Sequence, residues 1–137
     1  MTQEEKQLLL QDLCARLWYG VMCFAPDYEY GDIGKLWCIE PFEDLDPKIT
    51  VQYPKGNTIT KFCSEVKPYL RSLSSMTEEE RTEYFLLKHR DNYREDNIIL
   101  IDEASALIVW LNAHHFDYRG LIEKGLALEA PKDMYNT

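Results

Sequence analysis

Apolar and polar positions along the chain fall into three successive rhythms, and each predicts the kind of element that its segment forms. Near the start, Leu9, Leu10, Leu13, Cys14 and Leu17 recur at helical spacing and make one apolar stripe. Thr2 and Glu5 stand at capping-box spacing, where each side chain satisfies a free amide near the other. A first helix ending near Leu17 is expected, with Gly20 just beyond it and Glu4, Lys6, Gln7, Gln11 and Arg16 on its polar face.

From Tyr19 to Arg71 the helical spacing disappears. "YGVMCFA", "GKLWCIEP", "KITVQYP" and "TITKF" are short runs rich in β-branched and aromatic residues. Between them stand "PDYEYGD", "FEDLDP" and "PKGN", which are turn chemistry. Ile49, Val51 and Tyr53 alternate with polar residues and should share one buried face. After "TITKF" come the polar break "CSEV" and then "KPYLR". Strand, single helical turn and short final strand is how small SH3-like barrels close. Pro68 suits an edge or the start of a strand, since it has no N–H to give a ladder.

The third rhythm is helical again. Thr77 and Glu80 repeat the capping-box spacing, and Glu78 to Glu80 place negative charge at the positive end of the helix dipole. Tyr84, Phe85, Leu87 and Lys88 carry that helix to about His89. The polar "RDNYREDN" reads as a mobile loop. "IILID" leads to Asp102, the expected N-cap of a third helix with Ala104, Leu107, Ile108 and Leu111 on one face. A short helical turn through "YRGLIEK", a terminating Gly125 and an extended "LALEAP" should follow. The expected fold class is α+β: an N-terminal helix, a small five-stranded antiparallel SH3-like barrel or sheet with that helix over an open face or edge, then two to three C-terminal helices. One domain, 1–137, is expected, β-rich over about 19–71 and helical over about 77–125.

Composition narrows the function. At 45% apolar and 12% aromatic the chain is globular, and nine tyrosines supply amphipathic surface for a core or an interface. A net charge of −9 argues against nucleic acid and anionic membranes as partners, because both are bound through cationic patches. No apolar run approaches the roughly 20 residues of a membrane span. The acidic N-terminus differs from a signal peptide, so a cytoplasmic location is expected. Cys14, Cys23, Cys38 and Cys63 form no CxxC pair and sit among apolar neighbours, so buried free thiols are expected, without a metal.

Three constellations could carry chemistry. In "NAHHFDYRGLI", His114 falls on the apolar side of the third helix by its offsets from Leu107, Trp110 and Leu111, and His115 should lie nearer solvent. A small hydrolase or metal enzyme could use His114, His115 and Asp117, yet the spacing matches neither HxH nor HxxxH. Asp117 as a cap and Arg119 as its partner, or as a clamp on the last carbonyls of the helix, make a structural corner the better reading. The acidic groups Glu43, Asp44, Asp46 and Glu78 to Glu80 read as a solvated turn and dipole complements. Lys55, Lys61, Lys67 and Arg71 reverse the local charge near Tyr53, Phe62 and Tyr69. They could stack and hold single-stranded nucleic acid, or simply guard sheet edges. No nucleophile elbow or phosphate loop is present in the sequence, so no catalytic residues and no cofactor are expected.

"KPYLRSLSSMTEEE" (67–80), "HHFDYRGLIEKGLALEAP" (114–131) and "LLLQDLCARLWYGVMC" (8–23) resemble a set of small uncharacterised proteins encoded by phages and prophages of gut anaerobic bacteria. Residues 24–62 and 89–110 correspond to the variable parts of that set. The resemblance implies a mobile-element context and an accessory role, with no activity and no site residues carried over. The expected function is a non-enzymatic protein-interaction module that modulates or inhibits a host or phage protein. Its partner surface would centre on Tyr28, Tyr30, Trp37 and Tyr53, and self-association is a further expectation.

Overall fold

The computed structural model describes residues 1–40, 47–89 and 100–135. The first helix, α1 (Gln3–Arg16), forms where its cap lies: Thr2 Oγ1 accepts the Glu5 amide at 3.1 Å, and Glu5 Oε1 accepts the Thr2 amide at 2.9 Å. A 3-10 turn over Leu17–Tyr19 continues it, and Gly20 ends it in the left-handed region at φ 69°. Leu9 and Leu13 are fully buried, each contributing about 2 kcal/mol. Two expectations fail on this helix. Arg16, assigned above to the polar face, is fully buried beside Asp12, and Cys14 is exposed. Four residues apart, Asp12 and Arg16 pair with each other, and that pairing lets two charges enter an apolar face.

The strands follow the alternating segments: β1 (Met22–Asp27), β2 (Gly31–Glu40), β3 (Lys48–Gln52), β4 (Thr58–Phe62), β5 (Lys67–Leu70) and β6 (Leu128–Glu129). A 3-10 turn over Cys63–Glu65 joins β4 to β5, as the polar break predicts. The sheet order is β4-β3-β2-β1-β5-β6, antiparallel except for the β5–β6 pair. The sheet therefore has six strands rather than five, and it is open. Among the described residues β4 pairs with β3 alone, and β6 adds to the far side of β5 where the expected closure would have placed nothing. At Pro68 the β5 strand pairs only with Cys23 of β1, because β6 begins opposite Tyr69. A residue without an N–H is tolerated there.

Ile49, Val51 and Tyr53 face inward as their alternation requires. With Leu9, Leu13, Cys23, Leu36, Val66, Leu70 and Leu121 they form the main core between sheet, α1 and the C-terminal segment. Cys23 and Cys63 are buried thiols, whereas Cys38 is exposed like Cys14. Burial in the core raises the Cys23 thiol far above its usual range.

Helix α2 (Glu78–Lys88) has its capping box, Thr77 with Glu80. Helix α3 (Leu100–Ala113) contains Asp102 two residues past its start, so Asp102 is not its N-cap. The segment after Gly120 is a turn rather than a helix. The acidic turn at 43–46 and the loop at 90–97 lie outside the described residues. A second, smaller core of Met76, Leu111 and Phe116, with Tyr84, Leu107 and Trp110 against it, joins α2 to α3.

Candidate functional site

Helix α3 ends in a geometry that organises the rest of the corner. The His115 amide donates to Asn112 O at 3.1 Å and the Phe116 amide to Leu111 O at 2.9 Å, the paired bonds of a Schellman motif. His115 occupies the left-handed position at φ 65°, where glycine is usual and a side chain costs about 1–2 kcal/mol. Phe116, fully buried, folds back into the small core with Leu111, the contact that this motif commonly adds.

From there the backbone runs along Arg71. The Arg71 amide donates to His115 O at 2.7 Å and the Asp117 amide to Arg71 O at 2.8 Å. Asp117 then caps the next turn, accepting the Leu121 amide at 2.9 Å and the Ile122 amide at 3.0 Å. This is the capping role expected of it. Arg119 does not pair with Asp117 or with α3 carbonyls; its Nη1 meets Asp12 Oδ1 at 2.8 Å.

Of the two histidines, His114 lies on the apolar side as expected, whereas His115, expected nearer solvent, is the more buried. His115 is the buried ring, 8% exposed, and His114 is half-buried against Trp110. His114 still makes the helical bond to Trp110 O at 3.0 Å, but His115 turns into the left-handed region, so the helical offset no longer applies to it. The His115 ring stacks on Tyr135 with centroids 3.7 Å apart, and its buried Nδ1 has no hydrogen-bond partner. Burial, then the nearby Arg16 and Arg71 charges, pull its pKa down to about 4, so the ring is neutral. Tyr135 Oη donates to Tyr69 O at 2.7 Å and accepts the Met22 amide at 2.9 Å, which ties the C-terminal segment to β1 and β5.

Arg16 completes the arrangement. Its Nε bonds Asp12 Oδ2 at 2.9 Å and its Nη2 bonds Phe116 O at 2.6 Å, while Nη1 is buried without a partner. Arg71 lies over the Phe116 ring and grips Glu80 through two bonds of 2.8 and 2.6 Å. Arg71 and the Thr77 cap hold the Glu80 carboxyl down at about 2. Nearly every polar group here holds one part of the chain to another. His115 lies against the Tyr135 ring, with little of its surface open to solvent. Among the described residues no group of three His, Cys, Asp or Glu side chains could hold a metal ion.

The other candidates scatter. Tyr28 is fully exposed in the β1–β2 turn, and Trp37 is exposed on β2, where the register with β3 shifts between Leu36 and Cys38. Tyr30 is half-buried beside Tyr53. Tyr53 is a core residue, 2% exposed, with its hydroxyl on Ala25 O, so it is withdrawn from the expected partner surface. Lys61 lies on β4, separated from Lys67 on β5 by three strands, and Arg71 is committed to Glu80. The three do not form one basic stripe along neighbouring strands.

Sequence reasoning missed Trp18, which is 88% exposed, and the apolar groups Phe85, Leu86, Ile108 and Val109 exposed on α2 and α3. Adjacent apolar pairs on a helix, about 100° apart, cannot all face one small core, and that was the available signal. No helix of the described residues is long and apolar enough to cross a membrane. Comparison of the chain with protein-family models, curated proteins and solved structures finds no match to any of them.

Proposed function

We propose that this chain is a non-enzymatic protein-interaction module of a phage or other mobile element, acting on a host or phage protein. The observation that carries the reading is the contrast between its two polar and aromatic populations. The histidine, arginine and aspartate side chains that could do chemistry are bound into the corner between α1, β5 and α3. Three large aromatic side chains, Trp18, Tyr28 and Trp37, are exposed to solvent. Exposed tryptophan and tyrosine are the residue types that anchor protein interfaces. The return of β5 to β1 after a 3-10 turn supports an SH3-like arrangement of the first five strands, opened between β4 and β5.

The test is site-specific photo-crosslinking in cells that naturally carry the gene. A crosslinker at Tyr28 or Trp37 should capture one protein in near-stoichiometric yield, while one at exposed Lys132 should not. Absence of a protein adduct at both aromatic positions would overturn the reading.

A further inference from the structure

We infer that the free edge of β4 accepts an extended acidic peptide as an added strand. The inference rests on the interaction-module reading and names one surface and the chemistry of its partner. The hydrogen-bond parity of β4 follows from its two ends. The Cys63 amide donates to Pro47 O and the Tyr53 amide to Asn57 O, both at 2.8 Å. In the unbroken β3–β4 register these pairs lie at two-residue steps from Ile49–Lys61 and Val51–Ile59, so all of these exchange backbone bonds. Odd-numbered residues of β4 therefore bond β3, and the N–H and C=O groups of Thr58, Thr60 and Phe62 point away from the sheet. The Thr50 and Thr60 hydroxyls, 2.9 Å apart, agree with this parity, because facing side chains approach most closely in the pairs that do not exchange backbone bonds. Thr58, Thr60 and Phe62 are all exposed, and β4 has no second strand neighbour among the described residues.

Charge selects the occupant. The chain carries −9 overall, yet residues 47–62 contain Lys48, Lys55 and Lys61 and no acidic residue. Lys61 faces the same side of the sheet as inward-facing Ile49, so it is an inward-pointing charge on an edge strand. Such a lysine resists an apolar strand, which would bury the charge unpaired. A strand with a carboxylate beside Lys61 meets a partner instead, and its alternate side chains meet Phe62 and the threonines on the other face. The edge is thus closed to ordinary strands, including a second β4 with its own lysine, and open to an acidic one.

The experiment is residue-resolved hydrogen exchange on the full chain, with a blocked peptide alternating glutamate and valine as the probe. In the free protein the Ile59 and Lys61 amides should exchange slowly and those of Thr58, Thr60 and Phe62 quickly. Saturating peptide should slow the second set by about tenfold or more, as expected for amides entering a ladder. Thr60→Pro, which removes an outward N–H and no backbone bond to β3, should abolish the protection, and Thr60→Val, which loses the same hydroxyl contact with Thr50, should keep it. Lys61→Glu should transfer the preference to a peptide with lysine in place of glutamate, and this variant decides the matter if Thr60→Pro fails to fold. The inference is overturned if no alternating protection appears, if the lysine peptide protects the native chain equally, or if protection grows with protein concentration alone, which would mean a second copy. Crosslinking through Tyr28 or Trp37 does not depend on this edge. A captured partner there with no protection at β4 would remove this inference and leave the interaction-module reading standing.

Discussion

Arg16 Nη2 and the carbonyl oxygen of Phe116 are 2.6 Å apart across a hundred residues of sequence. The bond joins the end of α1 to the corner where α3 stops, deep enough that Arg16 is fully buried. Asp12 is its counter-ion and is shared with the less buried Arg119. A charge in such a place is stable only while its partner remains.

Asp12→Ala should therefore destabilise the fold by about 3 to 5 kcal/mol, because it strands the Arg16 charge in the core. Arg119→Ala, which leaves the Asp12–Arg16 pair intact, should cost about 1 kcal/mol. Urea denaturation midpoints measure both, and equal losses would refute the ranking.

The left-handed backbone at His115 has its own signature. His115→Ala keeps the strained conformation and loses the Tyr135 stack, whereas His115→Gly loses the stack and relieves the strain. The glycine variant should be the more stable of the two by about 1 kcal/mol. Thermal unfolding of the pair reads this difference without reference to the native side chain.

Acid should weaken the protein in two windows. His115 takes up a proton near its ordinary 6.5 when unfolded and near 4 when folded, so the unfolded chain binds more protons between those values. Stability is complete above 6.5 and falls as pH drops toward 4, by at most about 1.4 kcal/mol per pH unit. Glu80 behaves likewise lower down: its contribution is present above its ordinary 4.5 and lost as pH falls toward 2. His115→Gln should flatten the upper window and Glu80→Gln the lower one in stability-against-pH curves. Unchanged slopes would show that other groups govern them.

Tyr135→Phe removes one hydroxyl that bridges two strands. It should cost about 1 to 2 kcal/mol, since the Met22 amide and the Tyr69 carbonyl both lose a partner. Amide exchange at Met22 should accelerate in the variant, while that of Ile49, in the β3–β4 ladder, should follow only the global loss of stability.

The elements themselves were legible in the chain. Capping boxes at Thr2 and Thr77 located two helix starts because a cap is a contact between residues three apart. Alternation in "KITVQY" identified the buried face of β3 for the same local reason, and Asp117 proved to cap the turn within its own segment. Where the reading carried helical offsets past the helix's real end, it misplaced His115. Where a residue's partner lay far along the chain, the reading placed the residue wrongly: Arg16 on the polar face although it reaches Phe116, and Arg119 beside Asp117 although it meets Asp12.

Periodicity, caps and turn residues depend on neighbours a few positions away, so α1, α2 and the strand segments follow from the order of residues alone. Sheet closure, the burial of Arg16 and the fate of the "HHFDYR" corner depend on which distant segment arrives beside them. A two-residue strand at Leu128 and Leu-rich turns after Gly120 decided those matters by occupying the far side of β5 and sealing the core. Burial is a property of the assembled surface, so no short stretch of sequence could reveal that Arg16 lies inside and Trp18 outside.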